Sequence, residues 1–215
     1  MQVKTCVLSF GVKGEGHAGR VKRTKFAMAS GELSRADFVE FLKSTLAASA
    51  AVSRDGAVHF VCMDWRHIGE LLEAGGAVYG DVLNLAVWVK SNAGQGAFYR
   101  SQHELIGVFH VGEEPHLNNV ELGRHGRSRS NVWQSHPTVQ PVELVADAMK
   151  DCTRRGDIVL DTFSGFGTTI LKQDGAVGAY LSAVKAERAS LMWLQTALRE
   201  ALQPRPSARY PFMVQ

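Results

Sequence analysis

The chain has 215 residues, enough for one well-buried domain and few for two. Hydrophobic residues make up 45% of it and charged residues 21%, which excludes a disordered or fibrous protein, and no apolar run approaches the roughly 18 residues that a membrane-spanning helix needs. The net charge is only +3, so bulk charge points to no class of partner.

The three cysteines, Cys6, Cys62 and Cys152, are far apart and form no C-x-x-C pair. We therefore expect no disulfide framework and no zinc site, but small buried side chains in a reducing compartment. The first ten residues are apolar but too short for a secretory signal, and they lack a small-residue cleavage site. A cytoplasmic protein is expected.

The first predicted elements are a strand, a helix and a second strand. An apolar strand is predicted over residues 3–10, and a glycine-rich loop follows it. Ser34 has the position of a helix N-cap with Asp37 three residues later, and the apolar spacing after them predicts a helix that ends before Arg54. Residues 57–63 form a continuous apolar run, which is typical of a strand covered on both faces.

Further elements follow in the same alternation. Helical spacing returns over residues 67–72, residues 83–89 predict another buried strand, and residues 105–111 predict a third strong strand. Residues 112–135 show no clean period and form a polar, basic loop. The remaining elements are a helix over 142–152, strands over 157–161 and 177–181, and a helix over 186–202.

This alternation predicts an α/β fold with a mostly parallel twisted sheet and helices on both faces. No second domain is recognised, so residues 1–215 are treated as one domain whose tail frays after residue 203. Basic residues concentrate in residues 13–25 and 124–129, and no acid occurs between Glu121 and Glu143. Such clusters either contact phosphates or form solvated loops.

The most informative segment covers residues 158–169, where an apolar strand ends in Asp161 and a glycine-rich turn opens a helix. Ligands of open α/β sheets bind at the carboxyl ends of strands, and Gly165 and Gly167 let backbone N–H groups approach a ligand. A P-loop needs Lys before its Ser or Thr, whereas Gly167 precedes Thr168, and a dinucleotide fingerprint needs a third glycine. A plain tight turn stays an alternative.

The flanking residues make this segment more specific. The pattern D-x-F-x-G-x-G-T-T at residues 161–169 resembles D-P-F-x-G-S-G-T-T of the amino-methyltransferases that modify adenine N6 or cytosine N4 in DNA, and HPTVQP at 136–141 resembles their H-P-T-x-K-P. Four further segments resemble a bacterial and phage branch of that family: FVCMDWRH at 60–67, NLAVWVK at 84–90, GAFYRSQHEL at 96–105 and NVELGRHGR at 119–127.

The resemblance implies a seven-stranded, Rossmann-like fold of S-adenosylmethionine-dependent methyltransferases in circularly permuted order. The catalytic half would be residues 1–111, the basic DNA-facing loop 112–135, the cofactor-binding half 136–203 and the tail 204–215. It also implies transfer of a methyl group from S-adenosyl-L-methionine to an exocyclic amine of adenine or cytosine in double-stranded DNA. Many members dimerise, which leaves a homodimer open beside a monomer.

The resemblance also assigns site residues. The methionine end of the cofactor would be lined by Asp161, Phe163, Gly165 and Gly167, with Thr168, His136 and Thr138 nearby. The chemistry agrees, because a carboxylate suits a helix N-terminus and an ammonium suits Asp161; Thr168 can alternatively cap the helix. Candidates for phosphate contacts are Arg124, Arg127 and Arg129. Candidates for contact with DNA or the target base, after a glycine loop, are Arg100, Ser101 and His103.

The sequence departs from the family at its catalytic loop, D-P-P-Y, whose Asp accepts a hydrogen bond from the amine of a flipped base. The corresponding stretch is Val7-Leu8-Ser9-Phe10, in which Phe10 can stack on a base but no acid and no proline is present. Thr162 and Phe166 replace a Pro and a Ser of the cofactor loop. After the next strand, where the family has an acid that binds the ribose, this sequence offers only Ser182. Two hypotheses therefore stay open: a DNA amino-methyltransferase and a non-catalytic DNA-binding relative.

Overall fold

The computed structural model describes residues 3–9, 33–94, 98–134, 142–154, 157–162 and 179–182. These residues form seven strands and three helices. In chain order they are β1 (Val3–Ser9), α1 (Arg35–Val52), β2 (Ser53–Met63), α2 (Ile68–Tyr79), β3 (Val82–Val89), β4 (His103–His110), β5 (Val132–Gln134), α3 (Val142–Cys152), β6 (Ile158–Asp161) and β7 (Ala179–Ser182). None of these helices is both long and apolar enough to cross a membrane.

All seven strands belong to one sheet with the order β5-β3-β4-β2-β1-β6-β7. Only β4 runs against its neighbours, because it pairs antiparallel with both β2 and β3 while the other pairs are parallel. The prediction of a mostly parallel sheet is therefore confirmed. The carboxyl ends of the six parallel strands meet at one side of the sheet, which we call the carboxyl edge; β4 begins there.

Helices cover both faces of the sheet, as predicted. On one face α1 and α2 pack on alternate residues of β2, β4 and β6, with Leu42, Leu71 and Phe109 fully buried. On the other face α3 covers the intervening residues, and Ala148 and Cys152 contact the apolar side chains of β2, β3 and β4. The run predicted over residues 57–63 is buried on both faces for this reason.

The start of α1 is the predicted one. The Ser34 side chain accepts a hydrogen bond from the Asp37 backbone N–H at 3.2 Å, which satisfies one free donor of the first turn. The helix also ends before Arg54, as predicted, but β2 begins at Ser53, directly after the helix, rather than at residue 57. The Ser53 N–H donates to the Ala50 carbonyl and its hydroxyl to the Ser49 carbonyl at 2.8 Å, so one residue closes the helix and starts the strand.

The prediction that residues 83–89 form a buried strand is only half right. The strand exists as β3, but Ala86 is its single fully buried residue and Leu83 is 39% exposed. The reason is position: β3 is the second strand from the sheet end, and its outer neighbour β5 has only three residues. The last predicted strand begins two residues late as β7, and the helix predicted over 186–202 lies outside the described residues.

One buried histidine links both helices of the first face to β2. His59 is completely buried; its Nε2 lies 2.8 Å from the Ser53 hydroxyl oxygen and its Nδ1 2.8 Å from the Tyr79 hydroxyl. Because the Ser53 hydroxyl donates to Ser49, it accepts from Nε2–H; in the neutral ring Nδ1 is then an acceptor for the Tyr79 hydroxyl, which lies closer to it than to the Leu46 carbonyl at 3.5 Å. Burial lowers the pKa of His59 to about 3, so the ring is neutral in the folded protein.

This depressed pKa predicts a specific loss of stability in acid. The unfolded chain protonates His59 below its ordinary pKa and the folded protein does not, so its contribution is present above about pH 6.5 and is lost as the pH falls. The difference in free energy of unfolding between wild type and His59→Gln should shrink by about 2 kcal/mol between about pH 6.5 and about pH 5. Urea titrations at several pH values measure it; a difference that stays constant with pH would contradict the assignment.

Candidate cofactor and DNA interface

The strand that ends in Asp161 is the second strand from one end of the sheet, and it ends on the carboxyl edge. β6 ends at Asp161 and pairs with β1, where Val7 stands opposite Asp161. The Asp161 side chain is only 4% exposed, and Thr162 after it is 8% exposed. The Thr162 hydroxyl is buried and finds no hydrogen-bond partner among the described residues. A buried carboxylate and a buried hydroxyl without a partner among the described residues thus follow one another in the chain where it leaves the sheet.

The remaining predicted cofactor residues, and the aromatic candidate for base stacking, lie outside the described residues and stay predictions. They are Phe10, His136, Thr138, Phe163, Gly165, Gly167 and Thr168.

The extent of β1 bears on the comparison of residues 7–10 with the family's D-P-P-Y loop. Val7, Leu8 and Ser9 all pair with β2 in register and belong to the strand, so only Phe10 of the four compared residues follows it. The residues that directly follow Ser9 in the sequence lie outside the described part of the chain. Residues 10–14 read FGVKG and contain no carboxylate either.

The acid that follows β2 has a local structural role. Asp64 accepts hydrogen bonds on Oδ1 from the backbone N–H groups of Arg66 at 2.8 Å and His67 at 3.2 Å, which turns the chain into α2. Trp65 in this turn is half exposed, and the Arg66 guanidinium lies 4.7 Å from the centre of its ring. Asp64 therefore shapes the carboxyl edge, whereas Trp65 and Arg66 face solvent there.

An ion pair joins β3 to β4 at the same edge. Trp88 pairs with Glu104 across the two strands, and the Lys90 ammonium contacts the Glu104 carboxylate while lying 5.2 Å from the centre of the Trp88 ring. The Lys90 and Glu104 side chains are 36% and 30% exposed. Burial, with the carboxylates of Glu104 and Asp161, raises the pKa of the Cys62 thiol to about 12, so this thiol is neutral and not nucleophilic.

The connection between β3 and β4 carries three of the predicted DNA contacts. Arg100 donates from Nε to the Gly94 carbonyl at 3.1 Å and from its terminal nitrogen to the Ala93 carbonyl at 3.0 Å, and the Gly94 N–H donates to the Ser101 carbonyl at 2.7 Å. Arg100 therefore holds its own loop together. The loop exposes Phe98 and Tyr99, at 87% and 81%. Ser101 and His103 lie where the loop enters β4 at the carboxyl edge.

The arginines of the basic loop differ in their exposure and in their contacts. Arg124 and Arg127 both face Glu121 and are 73% and 50% exposed. Arg129 instead lies against α3, with Nε 2.9 Å from an Asp151 carboxylate oxygen and its guanidinium 5.3 Å from the centre of the Trp133 ring.

The α3 partner of Arg129 is itself half-buried. Burial raises the pKa of Asp151 to about 6; Arg129 and Lys150 oppose this rise, and Asp147 adds to it. The Arg129 contact therefore anchors the basic loop to α3.

Comparison with known proteins identifies the family. The family model described as DNA methylase, for N6- and N4-specific enzymes, matches residues 17–173, well over half of the chain. The chain belongs to the N6/N4 DNA methylase family. None of the curated proteins compared with it matches.

Solved structures of DNA methylases have the same fold as this family member. M1.HpyAVI aligns with a TM-score of 0.60 and 15% identity, covering 94% of this chain and 88% of that one. The cytosine-N4-specific PvuII DNA methyltransferase gives 0.61 and 13%, covering 93% and 85%. TTHA0409 of Thermus thermophilus, complexed with S-adenosyl-L-methionine, gives 0.58 and 17%, covering 94% and 88%. The predicted Rossmann-like methyltransferase fold is thereby confirmed.

In this methylase the carboxyl edge brings together some predicted residues and one pair that sequence reasoning overlooked. Asp161 lies at that edge because β6 ends there, whereas Ser101 and His103 lie there because β4 runs antiparallel to its neighbours and begins there. Lys90 and Glu104 lie in two of the segments that resemble the family, but the sequence predicted no role for them. The available signal was charge, since Lys90 directly follows the apolar run of β3 and Glu104 directly precedes that of β4.

Proposed function

We propose that this methylase-family chain binds S-adenosyl-L-methionine beside Asp161 and acts on exocyclic amines of adenine or cytosine in double-stranded DNA. The observation that carries the proposal is the strand order β2-β1-β6. It puts the strand that ends in the candidate cofactor acid directly beside the strand that leads to the family's catalytic loop. Methyl donor and base would then meet at the carboxyl edge, where ligands of open α/β sheets bind.

The residues at the end of β6 fit the amino-acid end of the cofactor. The buried Asp161 carboxylate would bind the ammonium, because a buried negative charge is stabilised by a nearby cation. The Thr162 hydroxyl, which has no partner among the described residues, would donate to the carboxylate of the cofactor. This contact would remove the cost of a buried unsatisfied group. When bound, the cofactor supplies an electrophilic methyl group. Asp161 and Thr162 orient it and take no part in proton transfer.

A second candidate function is DNA binding without methyl transfer. It is favoured by the composition of β1 and the residues after it, since positions 7–14 read VLSFGVKG and contain no carboxylate to accept a hydrogen bond from the amine. A flipped base would then meet no carboxylate acceptor from this segment. The two candidates share the DNA-binding surface and differ only in chemistry.

Two measurements on the full chain separate the candidates. Tritium transfer from labelled S-adenosyl-L-methionine to unmethylated DNA of mixed sequence tests methyl transfer, and fluorescence anisotropy with a duplex at low salt tests binding. Labelled DNA supports the transferase. Salt-sensitive binding without label supports the second candidate, and the absence of both overturns both.

The exposed and the anchored arginines are expected to behave differently. Arg124→Ser should weaken duplex binding severalfold and lower the slope of log Kd against log salt by about 1, because one phosphate contact is lost. Arg129→Ser should instead lower the free energy of unfolding by about 1–2 kcal/mol, because its partly buried contact with Asp151 is lost. Anisotropy and urea titrations measure both; weakened DNA binding without loss of stability in Arg129→Ser would reverse the assignment.

A further inference from the structure

The Lys90–Glu104 pair lies at the carboxyl edge and is partly exposed. Lys90 directly follows β3 and Glu104 is the second residue of β4, and both side chains keep about a third of their surface exposed. Glu104 and Asp161 are on strands separated by β2 and β1, roughly 14 Å across the sheet at the usual strand spacing. Side chains alternate along a strand, so Glu104 faces the same side of the sheet as Ile106 and Asp161 the same side as Val159, which is the side that α3 covers. The pair and the candidate cofactor acid therefore lie on one side of the sheet, with two strands between them along the carboxyl edge.

The pair is held in a fixed geometry. The Lys90 N–H donates to the Gln102 carbonyl at 2.8 Å, and the Gln102 side-chain amide donates back to the Lys90 carbonyl at 3.0 Å. The Trp88 ring lies beneath the ammonium. The two bonds between Lys90 and Gln102 continue the pairing of β3 and β4 past the strand ends and hold Lys90 beside Glu104.

Side by side, a carboxylate and an ammonium present an acceptor next to a donor. Adenine and cytosine both carry an exocyclic N–H donor beside a ring-nitrogen acceptor on their Watson–Crick edge, which is the complementary order. Thymine carries a carbonyl beside a ring N–H, which is the opposite order and would set an oxygen against the carboxylate. Matched bidentate contacts of this kind distinguish bases strongly.

We propose that Lys90 and Glu104 read the Watson–Crick edge of the target base, with the Glu104 carboxylate accepting from the exocyclic amine and the Lys90 ammonium donating to the adjacent ring nitrogen. The inference rests on the proposed function, because it needs a base at the carboxyl edge. It selects adenine and cytosine together against thymine. It assigns a specificity-determining role to two side chains outside the family's glycine and D-P-P-Y segments.

Single-stranded homopolymers of adenine, cytosine and thymine test this directly, because their bases are exposed without the cost of flipping. Kd values come from anisotropy with the full chain at one salt concentration. The readout is the ratio of the thymine Kd to the adenine or cytosine Kd. Glu104→Gln should reduce that ratio about tenfold, since an amide can donate to the thymine carbonyl. Lys90→Met should weaken adenine and cytosine binding more than thymine binding.

The controls distinguish this inference from the proposed function. Arg124→Ser should weaken binding of all three oligomers alike and leave the ratio unchanged, because a phosphate contact carries no base information. If Glu104→Gln lowers the melting temperature but keeps the wild-type ratio, the pair only joins β3 to β4 and the inference is wrong. Equal wild-type affinity for the three oligomers overturns it as well, while leaving DNA binding intact. No binding of any oligomer or duplex overturns the proposed function and this inference together.

Discussion

Replacing Gly75 with alanine is expected to lower the free energy of unfolding by about 1–3 kcal/mol, although alanine is the better helix former. Gly75 lies in α2 and faces the ring of Phe109 on β4, which is fully buried. A Cβ at this position would stand 2.2 Å from the Phe109 Cε1 atom, closer than two carbon atoms can approach. Either the ring must leave its rotamer or α2 must move away from the sheet, and both changes cost packing.

The adjacent residue provides a matched control. Gly76 is exposed on the same helix and a Cβ there meets no atom within 4 Å, so Gly76→Ala should raise the free energy of unfolding by about 0.5–1 kcal/mol. Urea unfolding of the two variants beside wild type gives the comparison. Adding Phe109→Leu should recover part of the loss in Gly75→Ala. Equal effects at both glycines would show that Phe109 does not fill the space over Gly75.

Local rules predicted the elements well where one residue decides the outcome. The Ser34 cap set the start of α1, and the apolar run of β2 indicated burial on both faces. The exposure of β3 was not predictable in this way, because LNLAVWV is as apolar as a central strand. What differs is its place near the sheet end, beside the three-residue β5, and sheet order is a property of the whole chain. A β4 strand that runs antiparallel leaves no mark on its own sequence either.

The candidate site was predictable to the extent that it consists of contiguous residues. The glycine segment after Asp161 needs only its own spacing, and the family match over residues 17–173 bears out the resemblance drawn from it. Pairing between distant residues could not be predicted. Arg124 and Arg129 have the same chemistry in the sequence, but one is largely exposed and the other contacts Asp151 on a helix that follows later in the chain.

Asp161→Asn is expected to weaken binding of S-adenosyl-L-methionine by about 10- to 150-fold in isothermal titration calorimetry. A hydrogen bond to a charged group contributes about 1.5–3 kcal/mol, and the Asp161 side chain is buried enough to lose little of this to water. The amide keeps the shape of the carboxylate but cannot balance the charge of the ammonium. The variant therefore tests the charge and not the packing at the end of β6.

Asp64→Asn is the matched control for this change, because Asp64 also follows a strand at the carboxyl edge but accepts from the backbone N–H groups of Arg66 and His67. Asparagine keeps a side-chain oxygen that can make both bonds, so cofactor affinity should stay within about twofold of wild type and the fold should remain stable. Equal losses in the two variants would mean that the edge as a whole, rather than Asp161, determines affinity. If the wild-type chain binds no cofactor, the proposed contact between the Asp161 carboxylate and the cofactor ammonium is wrong.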